Sequence, residues 1–248
     1  MSKNPFDEIG FEDFRAFAKN PQLSKYEKIG FPDAFRAGAE ERIFADIRKK
    51  LTNLDKVGQI TLDIGPGCSD LPLMLIEHCR QFQSHLYLID SQEMLDLLPD
   101  QAWTSKYPAK FPECPDFMVA QKEKIDAILC YSVLHYILVD TAFFRFLDGA
   151  LSLLAPGGQF LIADIPNVSK RKRFFSSANG IAFHKQFMNT EAAPEVVFNN
   201  VEHDKIDDAV VMAILHRARL QGFDAYVLPQ DRELPMANRR EDILIVRP

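Results

Sequence analysis

One short stretch decides the fold of this chain, LDIGPGCSD at residues 62–70. It starts in an apolar run typical of a buried strand, turns at Gly65 and Gly67, and continues into a segment with apolar residues at helical spacing. Glycine lets the backbone approach a ligand closely, and the start of a helix presents free amide groups. The stretch therefore predicts a strand, a turn and a helix that bind a nucleotide-like cofactor.

The same alternation of strand and helix patterns continues along the chain. Further strands are predicted at residues 85–90, 125–131 and 159–164, with a helix at 140–154. Such alternation indicates an α/β protein whose parallel sheet is covered by helices on both faces. Near the end a helix at 207–221 precedes two strand-like runs, which are predicted to pair antiparallel and close the sheet. These two runs are residues 225–228 and 242–246.

The chain divides into four predicted regions. They are an N-terminal helical cap at 1–54, a cofactor-binding core at 55–166, an insertion or lid at 167–205, and a C-terminal helix with closing strands at 206–248. The cap is expected to hold a long helix at 32–51. The insertion is long for a loop, and long loops are usually functional.

Composition and charge bound the function. The 248 residues include 47% hydrophobic and 26% charged residues, and 35 acidic against 29 basic side chains give a net charge of −6. This balance disfavours nucleic-acid partners, which need basic patches. No apolar run reaches the length of a membrane span. Without a secretory pattern at the N-terminus, and with four cysteines outside metal-type spacing, we expect a cytoplasmic protein.

Three acids around the glycine turn indicate which ligand it suits. Asp70 stands where a dinucleotide-binding turn has its third glycine, which disfavours a pyrophosphate. Asp63 is expected either to bind an ammonium group or to anchor the turn by accepting backbone amides. Asp90 ends the second strand, where a carboxylate accepts ribose hydroxyls. The alternative, that Asp90 only caps the next helix, is less favoured.

Four features, in this order, resemble the motifs of class I S-adenosylmethionine-dependent methyltransferases. They are LDIGPG, the acid Asp90, DAILCYSVLHYI from residue 126 and LAPGGQFLIAD from residue 154. The resemblance covers about residues 55–165. It implies a three-layer, Rossmann-like methyltransferase fold with a mostly parallel seven-stranded sheet, an antiparallel closing strand, and S-adenosylmethionine as cofactor.

The resemblance also implies roles for individual residues. The residues implied to bind the cofactor are Asp63 at its amino group, Gly65 and Gly67 under its methionine part, Asp90 at the ribose, Ser91 beside the adenosine, and Cys130 and Tyr131 at the sulfonium. The third strand belongs near 110–126, a proline-rich region that predicts no clear strand. There Glu113 and Asp116 are candidates for the adenine amine.

Methyl transfer needs alignment of donor and acceptor, and a base helps when the acceptor carries a proton. Tyr131 and His135 follow the fourth strand and are candidate catalytic residues, although His135 is equally expected to pack at a helix start. His184 is a second candidate base if the insertion closes over the site. Asp164, at the end of the fifth strand, either contacts substrate or, slightly favoured, caps a turn.

A basic run and an aromatic segment offer further contacts. Arg171 and Arg173, within KRKR at residues 170–173, are candidates for an anionic substrate, but a solvated helix face is favoured over that role. Tyr26, Phe31 and Arg36 are expected either to cover the site or to pack structurally. No acid occurs at 130–137, so no metal is predicted.

These observations favour a methyltransferase acting on a small molecule at oxygen or nitrogen, such as a phosphorylated or nucleotide-linked sugar. A nicotinamide-dependent oxidoreductase is one alternative, although Asp70 argues against it. Another is a non-catalytic cofactor-binding protein of the same fold. A protein or RNA methyltransferase is disfavoured by the charge. No membrane partner is expected, and the oligomeric state is not predicted.

Overall fold

The computed structural model describes residues 9–248, so the first eight residues of the predicted cap lie outside it. Its centre is a seven-stranded sheet in the order β3-β2-β1-β4-β5-β7-β6. The strands are β1 (Ile60–Ile64), β2 (His85–Asp90), β3 (Thr104–Pro108), β4 (Ile125–Tyr131), β5 (Leu154–Pro166), β6 (Asp224–Pro229) and β7 (Arg240–Val246). Strands β1 to β5 are parallel, and β7 runs antiparallel to both β5 and β6. The predicted sheet with its antiparallel closing strand is confirmed.

Helices cover both faces of this sheet. They are α1 (Phe11–Lys19), α2 (Glu40–Lys50), α3 (Asp70–Gln81), α4 (Gln92–Leu95), α5 (Pro115–Ala120), α6 (Leu134–Asp140), α7 (Phe143–Leu153), α8 (Val168–Phe175), α9 (Ala178–Met188) and α10 (Asp208–Leu220). No helix within residues 9–248 is long and apolar enough to cross a membrane.

Strand periodicity divides the core into two layers. Successive side chains of a strand point to opposite faces. In β4, Ile128 therefore packs with the α7 and α10 side, including Phe146, whereas Leu129 packs with the α2 and α3 side, including Ile47 and Leu75. Full burial of each such side chain contributes about 1.5–3 kcal/mol. The result is the predicted three-layer arrangement.

The third strand lies upstream of the region in which it was expected. Strand β3 occupies Thr104–Pro108, whereas Pro115–Ala120 within 110–126 forms helix α5 with proline in its first turn. Strand β3 is an edge strand whose residues are only partly buried, so its sequence, TSKYP, shows no apolar run. This expectation was wrong because edge strands need less apolar surface than central ones.

Two helical predictions also need correction. The expected helix at 32–51 is a short turn at Asp33–Phe35 followed by α2, with Gly38 between them at a φ of +79°. The helix expected at 140–154 starts at Phe143, because residues up to Asp140 belong to α6. The insertion at 167–205 contains α8 and α9, followed by irregular chain.

Candidate functional site

A cavity lies at the carboxyl ends of β1, β2 and β4, under a roof formed by the N-terminal part of the chain. Its polar lining consists of Arg36, Asp63, Ser69, Asp90, Lys110, Tyr131, Ser132, Tyr136, Asp140 and Thr141. Its apolar lining includes Phe11, Phe14, Ile29, Phe31, Ile89, Met94, Phe111 and Val133. The carboxyl edge of a parallel sheet is where such folds bind ligands.

The glycine turn forms the floor of this cavity, and both of its glycines are required by geometry. Gly65 has a φ of +72° and Gly67 a φ of +65°, in the left-handed region that disfavours other residues. A Cβ atom on Gly65 would lie 2.8 Å from Val133 Cγ2, and one on Gly67 would lie 2.6 Å from Ile29 Cγ2. The turn therefore packs directly against Val133, in the loop that follows β4, and against Ile29, in the N-terminal roof.

This crowding predicts how the turn responds to substitution. Gly67→Ala should destabilise the protein more than Gly222→Ala, because both sites have positive φ but only Gly67 has a neighbour in the way. The left-handed conformation alone costs about 1–2 kcal/mol for alanine. Urea unfolding of both variants measures the difference. Equal losses of unfolding free energy would show that Ile29 moves aside freely.

Asp63 is a buried carboxyl that lines the cavity. Its residue is 3% exposed, and no group within residues 9–248 donates a hydrogen bond to its side chain. Burial, aided by the charge of Asp90, raises its pKa to about 8. Of the two interpretations from sequence, the turn anchor fails because the backbone amides do not reach Asp63. The carboxyl is left facing the cavity, suited to a cationic group.

Asp90 joins the glycine turn to the end of β2. Its Oδ2 accepts a hydrogen bond from the Gly67 amide at 3.1 Å, and its Oδ1 accepts one from the Ser91 amide at 2.6 Å. Burial raises the pKa of Asp90 to about 6, and these two amides oppose the rise. Because each carboxylate oxygen has a second lone pair, Asp90 still accepts hydrogen bonds from a ligand.

Ser91 and Cys130 do not line the cavity, contrary to expectation. The Ser91 hydroxyl accepts a hydrogen bond from the Met94 amide at 3.2 Å and caps α4. Cys130 is fully buried in the core, where burial raises the pKa of its thiol. The alternation of β4 sends Cys130 to one face and Tyr131 to the other. Only Tyr131 reaches the cavity.

The two predicted histidine bases also lie outside the cavity lining. The His135 ring packs against the Tyr136 ring at an interplanar angle of 42°, with centroids 3.9 Å apart, and its Nδ1 is buried without a partner among the described residues. Burial, together with Arg240, lowers the pKa of His135 to about 3, so it stays neutral and accepts protons poorly. His184 lies on α9 against Phe175, with centroids 6.1 Å apart. Neither histidine is positioned as the expected base.

Asp164 is engaged by other protein groups and does not line the cavity. Its Oδ2 pairs with Arg240 Nη1 at 2.5 Å, and its Oδ1 accepts a hydrogen bond from Gln230 Nε2 at 3.2 Å. Arg36 Nη1 lies 3.7 Å from the same Oδ2. Neither of the two roles considered for Asp164 is observed: it does not line the cavity, and no backbone amide within residues 9–248 donates to its carboxylate. It belongs instead to a buried ion-pair cluster, which β5 and β7 assemble by pairing antiparallel.

Comparison with known proteins finds matches in structure but not in sequence. No family model and no curated protein matches the sequence. Among solved structures, a putative methyltransferase in complex with the Haloferax volcanii Trm112 activator is 14% identical, with a TM-score of 0.59 over 97% of this chain and 100% of that one. NodS, an N-methyltransferase from Bradyrhizobium japonicum, is 14% identical, with a TM-score of 0.57 over 96% and 98%. The chain has the class I methyltransferase fold.

A third structure supports the same methyltransferase fold. The plantazolicin methyltransferase BpumL is 14% identical, with a TM-score of 0.57 and 96% of each chain covered. In this chain, β7 lies between β5 and β6 and runs antiparallel to both. The fold that the sequence motifs predicted is thus confirmed, whereas the roles of single residues stay predictions.

On this methyltransferase fold, the basic run lies on α8 and is neutralised locally. Arg171 and Lys172 pair with Glu202 at 2.8 and 3.1 Å, and Arg173 pairs with Asp208. Arg171 and Arg173 do not line the cavity, so their predicted contact with substrate is not supported. The side chains of Arg171 and Arg173 are exposed, as in the alternative of a solvated helix face.

The roof of the cavity contains residues that the sequence did not identify. Phe11 and Phe14, three residues apart on α1, both face the cavity. Lys110 and Asp140 form an ion pair of 2.9 Å at its rim, whereas Glu113 and Asp116, the expected adenine contacts, do not line it. The three-residue spacing of Phe11 and Phe14, which places both on one face of a helix, is the sequence signal that could have identified them.

The N-terminal roof is tied to α3 by polar contacts at Asp70. Lys25 Nζ lies 2.5 Å from Asp70 Oδ2, and the Tyr26 hydroxyl donates to the same oxygen at 3.3 Å. Of the three expected cover residues, Phe31 and Arg36 line the cavity and Tyr26 does not. Within residues 9–248, no three metal-binding side chains cluster together.

Proposed function

We propose that this chain is an S-adenosylmethionine-dependent methyltransferase acting on a small molecule at oxygen or nitrogen. The observation that carries the proposal is Asp63, a buried carboxyl with no partner among the described residues, in one cavity with the glycine turn and Asp90. S-adenosylmethionine carries a sulfonium and an ammonium group. A buried carboxylate stabilises such positive charge strongly because the surrounding dielectric is low.

The cavity offers complementary groups for the rest of this cofactor. Asp90 would accept the ribose hydroxyls, and the glycine turn would lie under the methionine part. Ile89, Met94 and Phe111 provide an apolar surface for the adenine ring. NodS and BpumL were each crystallised with S-adenosylhomocysteine, which supports the same class of cofactor here.

The chemistry proposed needs few reactive side chains. S-adenosylmethionine supplies an activated methyl group whose leaving group is a neutral thioether. The protein then mainly excludes water and aligns the acceptor. Tyr131 and Tyr136 line the cavity, and burial raises both of their pKa values, that of Tyr136 to about 12. Their hydroxyls therefore remain protonated and orient an acceptor by hydrogen bonding.

A small-molecule acceptor fits the overall charge better than a nucleic acid does. The net charge of −6 opposes broad binding to phosphate backbones. The similar structures include proteins of small-molecule biosynthesis, such as the pyocyanin biosynthetic protein PhzM, at 14% identity. An acceptor at either oxygen or nitrogen remains part of the proposal, and so does a cytoplasmic location.

The nicotinamide alternative is disfavoured by topology. Dinucleotide-binding folds of the usual type have six parallel strands, whereas here β7 runs antiparallel between β5 and β6. Asp70, in place of the third glycine, is held by Lys25. Both observations support the methyltransferase.

Calorimetric titration with S-adenosylmethionine and S-adenosylhomocysteine tests the proposal. We expect saturable 1:1 binding of both and no binding of NADH in a parallel fluorescence titration. Transfer of a radiolabelled methyl group to a panel of hydroxyl and amine compounds, including nucleotide-linked sugars, then tests turnover. Failure of folded protein to bind either nucleoside would refute the cofactor, and binding without turnover would favour a non-catalytic role.

A further inference from the structure

Arg36 places a buried guanidinium in the wall of the cavity. The side chain is only 6% exposed, and it lines the cavity beside Phe31 and Tyr131. Its Cζ atom lies 4.5 Å from the ring centroid of Phe31 and 5.0 Å from that of Tyr131. The two rings hold the planar group in place, which leaves its edge available for hydrogen bonds.

The hydrogen-bond donors of Arg36 are largely unused. A guanidinium has five N–H groups. Within residues 9–248, Arg36 makes one long hydrogen bond, from Nη1 to the Tyr131 hydroxyl at 3.4 Å. None of its nitrogens is a fully buried atom lacking a partner, and the residue lines the cavity. A desolvated cation with so few partners is costly unless a ligand supplies an acceptor.

The nearby carboxylates do not satisfy this charge. Asp164 Oδ2 lies 3.7 Å from Arg36 Nη1 but only 2.5 Å from Arg240 Nη1, so its direct hydrogen bond goes to Arg240. Glu40 is buried nearby and acts on Arg36 through its charge, yet forms no ion pair with it. Two arginines thus share one closely placed carboxylate.

We propose that Arg36 binds a carboxylate group of a ligand held in the cavity. The fork of an arginine matches the two oxygens of a carboxylate, and such paired hydrogen bonds are strong and directional. Asp63 lines the same cavity, so the site offers one negative and one positive pole. The identity of the ligand rests on the proposed function, because the carboxylate belongs either to the methionine part of the cofactor or to the methyl acceptor.

Two pairs of matched ligands distinguish a carboxylate of the cofactor from a carboxylate of the methyl acceptor. Wild type, Arg36→Lys and Arg36→Gln are titrated with S-adenosylhomocysteine and with its decarboxylated analogue, which differs only in the carboxylate. Protein saturated with S-adenosylhomocysteine is then probed with benzoate and benzamide by ligand-observed NMR. Arg42→Gln is the control, because Arg42 is 67% exposed and pairs only loosely, at 3.8 Å, with Glu233.

If Arg36 binds the cofactor, wild type prefers S-adenosylhomocysteine over the analogue by at least about tenfold, which corresponds to about 1.4 kcal/mol. Arg36→Gln abolishes this preference and Arg36→Lys reduces it. If Arg36 binds the acceptor, that preference is unaffected by substitution, whereas binding of benzoate over benzamide disappears in Arg36→Gln. Either pattern supports the proposal, and Arg42→Gln should match wild type in both.

The proposal is overturned if wild type shows neither preference, or if Arg36→Gln retains both. Should Arg36→Gln fail to fold, Arg36→Lys keeps the charge and carries the same comparison. Should wild type bind neither nucleoside, the proposed function fails. Benzoate and benzamide on the ligand-free protein then test Arg36 alone.

Discussion

Asp63→Asn should raise the melting temperature of the ligand-free protein near pH 8 and at the same time weaken binding of S-adenosylmethionine about 100-fold. The first effect follows from burial. The carboxyl group has no hydrogen-bond donor among the described residues, and its pKa is about 8 instead of the ordinary 3.8. A neutral amide of the same shape removes the cost of ionising that buried group.

The sign of the pH dependence follows from the raised pKa. Between pH 3.8 and about pH 8 the folded protein keeps a proton on Asp63 that the unfolded chain releases. The stability of wild type therefore falls as pH rises through this window, and Asp63→Asn lacks that part of the fall. Asp90, whose pKa is about 6, adds its own fall in both proteins, so the comparison isolates Asp63.

The loss of binding follows from the same carboxyl group. Removing one member of a buried charge pair costs about 2–5 kcal/mol of binding free energy. Thermal unfolding from about pH 4 to pH 8.5 and calorimetry with S-adenosylmethionine measure the two effects. Asp100→Asn is the control, because Asp100 is 93% exposed. Unchanged affinity, or a lower melting temperature near pH 8, would contradict the role given to Asp63.

Asp164→Ala should lower the free energy of unfolding by about 3–5 kcal/mol, the usual cost of breaking a buried ion pair from one side. The substitution leaves the buried Arg240 without its closest partner and removes an acceptor from Gln230. Asp164 also has a φ of +60°, which alanine adopts less readily than aspartate.

Two further variants divide this loss into its causes. Asp164→Asn tolerates the left-handed backbone and keeps one acceptor, so we expect an intermediate loss. Glu202→Gln weakens the pairs with Arg171 and Lys172 near the surface and should cost less than about 1 kcal/mol. Urea unfolding measures all three. A loss for Asp164→Ala as small as that for Glu202→Gln would mean that the buried cluster contributes little to stability.

The fold was predictable where burial leaves a clear pattern in the sequence. Strands β1 and β4 are central, are covered on both faces, and read as apolar runs. Strand β3 lies at the edge, and its residues are half-buried, so its sequence carries no comparable signal. The cap helix was overextended because Gly38 interrupts it in a way that side-chain spacing does not reveal.

The site was predictable only near the glycine turn. Asp63, Gly65, Gly67, Asp90 and Tyr131 all line the cavity, since their positions follow directly from strand ends. His135 was misjudged because proximity in sequence to β4 does not fix where a side chain on α6 points. His184 was misjudged because α9 does not bring it into the cavity lining. The partner of Asp164 is 76 residues away on β7, so only the folded chain brings the two together.

The contact between Ile29 and Gly67 affects the rates at which ligands enter and leave the cavity. A molecule that packs on Gly67 has to displace the Ile29 side chain. It also has to displace the surrounding segment, which the ion pair between Lys25 and Asp70 holds against α3. That ion pair is about two-fifths exposed on both sides, so dissolved salt weakens it. The rates at which ligands enter and leave this cavity should therefore depend on ionic strength, even where the affinity itself does not.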